Sequence, residues 1–160
     1  MKKIFVSTVT ALLLLIVLAS TTLAASTAAE KQLLFKGSLQ AVETHLVTFP
    51  TFSLDATGSG NATQLGVFTM SFQGQVYIPT LAGITSATLV AADGSSLYAD
   101  GVGQGTATEN PDFVSIVEIY TITGGTGRFA GASGSFTVER LIQRSTGISS
   151  GTISGSIVLP

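Results

Sequence analysis

The sequence is poor in the residues that form covalent staples, coordinate metals or carry charge. Its 160 residues include no cysteine, one histidine and only 10% charged residues. Without cysteine the chain forms no disulfide bonds, so its stability must come from packing and from closure of its sheet. The single histidine, His45, excludes a metal site built from several histidines. We therefore expect no bound metal ion.

The balance of charge argues against nucleic acid as a partner. Apart from Lys2 and Lys3, the chain has five basic and nine acidic residues, a net charge near −4. Nucleic-acid binding needs clustered lysine and arginine side chains, so we expect no such partner.

The first 25 residues have the pattern of a cleaved signal peptide. Lys2 and Lys3 form a short basic region, an apolar stretch continues to Ala19, and small residues surround Ala24. An uncleaved membrane anchor is the alternative interpretation. We expect cleavage, a secreted or periplasmic product and no stable membrane span afterwards. A short linker over residues 26–31 would then lead into one domain over residues 32–160.

The remaining sequence reads as consecutive β-hairpins. Short alternating apolar runs are separated by turn signals such as Asp93-Gly94, Pro111 and Thr146-Gly147. No amphipathic stretch of helical period follows the first 25 residues. We predict an all-β fold, a single eight-stranded antiparallel up-and-down (calycin-like) β-barrel, because closure removes exposed strand edges. A two-sheet sandwich is the alternative.

A glycine-rich segment over residues 123–134 separates two of these runs. Its glycines formally fit a relaxed dinucleotide fingerprint, but that motif works only where it opens a helix. Here Gly131 and Gly134 interrupt any helix, and β-forming residues follow. No acidic residue follows at the ribose-binding spacing of about 20 residues. We therefore expect no nucleotide and no other cofactor, and interpret the segment as a connection between neighbouring strands.

The same segment carries a family resemblance. Residues 120–129, with the sequence YTITGGTGRF, are followed by Gly131 and Gly134 and resemble a loop shared by dirigent proteins and allene oxide cyclase-like barrels. The likeness is closer to small secreted bacterial members, which also carry a strand like Leu65-Gly66-Val67-Phe68. The resemblance implies an eight-stranded barrel with an apolar lumen, often trimeric. Plant members steer radical coupling or cyclise a fatty-acid epoxide, but no counterpart of their acidic catalytic positions is identified here.

The two strands beside the glycine segment suggest a register. Setting Glu118 directly opposite Arg140 also sets Tyr120 opposite Val138, and it pairs apolar residues throughout. A shift of one residue would set Glu118 against Glu139, which like-charge repulsion disfavours. We predict a cross-strand Glu118–Arg140 pair on an otherwise apolar face.

This pair supports two interpretations. It could lie in the barrel lumen and orient a polar ligand group, or it could be a structural or interface ion pair that fixes register, which we favour. Glu118, Arg140 and Tyr120 are accordingly weak catalytic candidates, and a catalytic role for His45 is disfavoured. The candidates for contacting a ligand in the lumen are Phe68, Met70, Phe72, Tyr120 and Phe136.

Residues 113–122 are apolar on both faces, whereas a barrel strand exposed on its outside should alternate apolar with polar residues. We therefore predict that a neighbouring subunit covers the outer face and that the protein is a homo-oligomer, a trimer or a dimer.

Three functions remain open. The first is binding of a small hydrophobic ligand in the lumen. The second is a cofactor-independent cyclase or isomerase, and the third is a structural cell-surface protein with a filled barrel. The sequence favours a binding protein over an enzyme.

Overall fold

The computed structural model describes residues 31–160, which form one closed antiparallel barrel of eight strands. The strands are β1 (Lys31–Thr48), β2 (Thr51–Ala62), β3 (Gly66–Tyr77), β4 (Ala82–Ala91), β5 (Ser96–Ala107), β6 (Phe113–Gly125), β7 (Ser133–Gln143) and β8 (Ile148–Leu159). The predicted signal peptide lies outside the described residues. Across residues 31–160, no helix has the length and apolarity needed to cross a membrane.

The strand order confirms the predicted fold class and rules out the sandwich. Each strand pairs with its neighbour in sequence, and β1 pairs with β8, so that Leu33 lies opposite Ile157 and the sheet closes. The turns fall where the sequence predicted them. Gly94 and Gly147 have φ values of 84° and 70°, a left-handed backbone that glycine adopts without steric cost.

The alternation of side chains along each strand builds the core. In β3, Phe68, Met70 and Phe72 point into the barrel and are buried, while Val67 points outward and is exposed. This follows from the two-residue period of a strand, which sends successive side chains to opposite faces.

Glycines on the inner face lie directly opposite the large side chains of neighbouring strands. Gly101 pairs with Tyr120, and Gly103 pairs with Glu118. A Cβ atom at Gly103 would lie 2.7 Å from Cγ of Glu118, closer than packed atoms approach. An eight-stranded barrel has an interior just wide enough for side chains, so these glycines make the room that the large residues occupy.

The predicted register of β6 and β7 was wrong by two residues. Glu118 lies opposite Val138, and Arg140 lies opposite Ile116. A shift of two residues leaves every side chain on its predicted face, so Glu118 and Arg140 both point into the lumen. Their ends meet diagonally, within reach of long side chains. The observed register sets each of these two charged residues opposite an apolar one, and it stacks the Tyr120 ring on Phe136 at 5.1 Å. The prediction failed because it required the acid and the base to be directly opposite, whereas long side chains also pair diagonally.

The glycine-rich segment closes one end of the barrel. It connects neighbouring strands, as predicted, and contains a short 3₁₀ helix, Gly127–Phe129. The Phe129 side chain is fully buried in the core. Arg128 donates a hydrogen bond from Nη2 to the Leu65 carbonyl at 2.9 Å, and its Nη1 lies 3.1 Å from Oδ2 of Asp93. The segment is therefore tied to the β2–β3 and β4–β5 turns at this end.

Candidate functional site

The opposite end of the barrel contains a cavity of about 380 Å³. This end carries the β1–β2, β3–β4, β5–β6 and β7–β8 turns. Val47 and Arg144 line the cavity and are exposed, so the cavity communicates with solvent. Its walls are mostly aliphatic and aromatic: Val47, Phe52, Leu54, Val76, Ile78, Leu81, Val114, Ile116 and Ile142.

Three charged side chains form the floor of this cavity. The Arg140 guanidinium donates from Nε to Oε2 of Glu118 at 2.8 Å and from Nη2 to Oε1 at 3.3 Å. From Nη1 it donates to Oε1 of Glu43. The three side chains are only 2%, 4% and 1% exposed for Arg140, Glu118 and Glu43, respectively. We call this group the floor triad.

Each member of the triad is placed by the strand that carries it. Glu43 follows Leu39 and Ala41 along the inward-facing positions of β1. Arg140 reaches it across β8, where its direct partner is Gly151. The small Ser149 side chain projects from β8 beside Glu43 and is fully buried. Gly151 has no side chain, which leaves room for Arg140. A Cβ at that position would lie 2.5 Å from Cβ of Arg140.

The electrostatics of the triad keep Arg140 and Glu43 charged. Burial alone would raise the pKa of Glu43, but the hydrogen bond with His45 and the charge of Arg140 outweigh it and lower the pKa below its ordinary value. Burial opposes the charge of Arg140 as well, yet its bonds with Glu118 raise the pKa of the guanidinium overall. The Phe72 ring lies 5.1 Å from Arg140 Cζ and adds a cation–π contact.

Tyr120 lies below the triad and is neutral. Its hydroxyl accepts a hydrogen bond from Oγ1 of Thr85 at 3.0 Å. Burial raises the pKa of Tyr120 far above its usual value, and the negative charge of Glu118 raises it further. The phenol therefore keeps its proton across the physiological range.

The floor triad divides the lumen into an open half, which contains the cavity, and a closed half, which lies below the triad. The residues predicted from sequence are divided between these two halves. Glu118 and Arg140 line the open cavity. The other candidates are buried and do not line it. Met70, Phe72, Tyr120 and Phe136 border a small void of about 20 Å³ beneath the floor, and Phe68 is packed in the core.

Sequence reasoning missed Glu43 and the site of His45. Nε2 of His45 lies 3.4 Å from Oε2 of Glu43, and its ring lies 5.0 Å from the Phe52 ring at the cavity wall. The alternation of residues along β1 could have identified them, because Glu43 and His45 occupy the same alternate positions as the inward-facing Phe35 and Leu39. Within residues 31–160, no group of three or more histidine or acidic side chains is placed to hold a metal ion.

Comparison with known proteins supports the fold assignment. No protein-family model and no curated protein matches this chain. Among solved structures, the chain is similar to the pterocarpan synthase dirigent protein GePTS1, with a TM-score of 0.57 and 12% sequence identity. The match covers 81% of this chain and 89% of that protein. The chain has a dirigent-like fold. This confirms the architecture implied by the glycine-rich segment, whereas a bacterial, secreted origin stays a prediction.

Proposed function

We propose that this dirigent-like barrel binds a small apolar ligand in the open half of its lumen. The observation that carries the proposal is the cavity of about 380 Å³, which has aliphatic walls and a charged floor. Ligand sites in proteins have this composition, in which apolar walls supply affinity and a few polar groups fix orientation. The cavity is within the usual size range for such sites, about 300–1,000 Å³.

The filled-barrel alternative fits only half of the molecule. Phe35, Phe68 and Phe129 pack the closed half without space for a ligand. A barrel with a purely structural role would gain stability from filling the open half in the same way, because lining atoms beside a void lose dispersion contacts. The cavity and its buried charges therefore favour binding.

The test is native mass spectrometry of the purified protein, which reports any small molecule bound to it. The matched variants are Val76→Trp, which fills the cavity from β3, and Val67→Trp, which places the same ring on the outer face of that strand. We expect a bound mass in the wild type and in Val67→Trp, and its loss in Val76→Trp. A wild-type protein that carries no ligand and binds no added octanol would contradict the proposal.

A second candidate is a cofactor-independent cyclase or isomerase that acts on a hydrophobic substrate. It is favoured by the name of the similar structure, a synthase, and by two carboxylates at the floor of an apolar cavity. Glu118, Arg140 and Tyr120 would be its polar groups. Turnover lost in Glu118→Gln with ligand binding retained would identify an enzyme, whereas a binding protein would show no turnover in either form.

We also propose that the protein is a homo-oligomer, a dimer or a trimer. Ile84, Val102 and Ile119 lie directly opposite one another on the outer face of β4, β5 and β6 and are 63%, 60% and 56% exposed. A contiguous exposed apolar row of this kind is typical of an interaction surface. Native mass spectrometry of Val102→Asp should show dissociation to monomers, while Val67→Asp, on another part of the outer face, should leave the subunit count unchanged.

A further inference from the structure

We propose that the ligand of the open cavity is an apolar amine, a molecule with one ammonium group at the end of a hydrocarbon body. This inference rests on lumenal binding, as proposed above, and adds the chemical class of the ligand. It follows from the charge and the hydrogen-bonding capacity of the floor triad.

The first observation is an unbalanced charge. Two carboxylates, Glu43 and Glu118, share a single guanidinium, Arg140, and all three side chains are almost completely buried. The triad therefore has a net charge of −1 at the floor of an apolar cavity. In such surroundings charges interact more strongly than in water, so the excess negative charge attracts a cation. A ligand with one positive charge would balance it.

The second observation is a surplus of hydrogen-bond acceptors. The two carboxylates together offer about eight acceptor positions, and an arginine has five N–H donors. Arg140 uses three of its donors on these carboxylates, and His45 lies near one further oxygen. The hydroxyl of Ser149, buried beside Glu43, supplies at most one more donor. More acceptors than donors remain open at the floor. An ammonium group supplies three donors and no acceptor, which complements this surplus.

The remaining ionisable groups of the cavity lie toward its mouth. Arg144 is exposed, and the His45 side chain is 35% exposed. Charges in contact with solvent are screened by water and salt far more than the triad is. Arg144 is therefore screened from the floor, and His45, which contacts Glu43 directly, is counted as neutral in the formal charge at pH 7. A carboxylate ligand would place a third acidic group beside one arginine.

The test compares three ligands that share an eight-carbon chain: octylamine, octanol and octanoate. Isothermal titration calorimetry at neutral pH measures the binding of each to the purified protein. We expect octylamine to bind at least about tenfold more tightly than octanoate, a ratio equivalent to ~1.4 kcal/mol, with octanol between them. In Glu43→Gln, which leaves a balanced Arg140–Glu118 pair, the ratio should fall toward one.

The control is Glu139→Gln, which makes the same change of charge on the exposed face of β7, next to Arg140 in sequence. Its amine preference should equal that of the wild type. Octanol binding without an amine preference, or a preference that survives Glu43→Gln, overturns this inference and leaves lumenal binding intact. Failure of all three ligands to bind overturns both.

Discussion

The closed half of the barrel, around Phe129, and the open half, around Arg140, share the same eight strands and differ in what fills them. In the closed half, Phe35, Phe68 and Phe129 interlock and the glycine-rich segment covers the end. In the open half, Gly103 and Gly105 of β5 face the lumen without side chains, and a cavity lies above a buried ion triad.

The difference shows that, within one barrel, the packing that stabilises the fold and the cavity that we propose binds a ligand lie in different halves. Buried ion pairs contribute little to stability because desolvation offsets their attraction, and a cavity forgoes packing. Both features are tolerable in the open half because the closed half is well packed. The following predictions test this division.

The largest contrast should come from one substitution made in each half. Ile157 in the closed half and Ile142 at the cavity wall are both buried. We expect Ile157→Ala to lower the free energy of unfolding by about 4 kcal/mol and Ile142→Ala by about 2 kcal/mol, within the range for buried isoleucine. The closed half must form a new void, whereas the cavity wall already borders one. Urea denaturation measures both, and equal losses would contradict the division.

Removal of the arginine should destabilise the open half through charge rather than packing. We expect Arg140→Met to cost about 3 kcal/mol at neutral pH, because Glu43 and Glu118 are left buried without a partner. The loss should shrink as pH falls, since protonated carboxyls carry no charge. Arg144→Met, at an exposed position, serves as the control in the same urea titrations. A loss that does not depend on pH would show that packing dominates.

The smallest effect should come from Glu43→Gln. We expect a loss of about 1 kcal/mol at neutral pH, because the amide oxygen still accepts from Arg140 but the bond is no longer between charges. The pKa of Glu43 is lower in the barrel than its ordinary value of 4.5. Its contribution to stability is therefore complete above that pH and is lost as pH falls through the lowered pKa.

Urea titrations from neutral pH to about pH 3 check this prediction, in the range where free carboxyls titrate. The wild type should lose stability on acidification more steeply than Glu43→Gln. Glu139→Gln, which removes an exposed carboxylate, should keep the wild-type slope. Identical acid slopes for Glu43→Gln and the wild type would indicate that Glu43 is not linked to folding.

The fold was predictable because its signals are local. Alternating apolar residues and turn pairs such as Asp93-Gly94 specify strands and hairpins, and eight strands in succession close naturally into a barrel. Parity also placed Glu118 and Arg140 on the same face of the sheet, and the structure shows that this face lines the lumen. The exact register was not predictable, because a shift of two residues preserves the face of every side chain and long charged side chains can pair diagonally as well as directly.

The site was predictable only in part, because a cavity is made by what is absent from several strands at once. The sequence predicted that Phe68, Phe72 and Phe136 contact a ligand, yet these residues fill the interior below the floor. The cavity depends instead on glycines such as Gly103 and on Glu43, which lies 97 residues away from Arg140 in sequence. No local pattern reports a contact of that separation.

The most direct measurement of the division between the halves is the position of bound octanol, determined from intermolecular nuclear Overhauser effects to the methyl groups of the barrel. We predict contacts with the cavity-wall methyl groups of Val114, Ile116 and Ile142 and none with Ile157 in the closed half. Contacts with Ile157, or with outer residues such as Val102 alone, would contradict an open, ligand-binding half of the lumen.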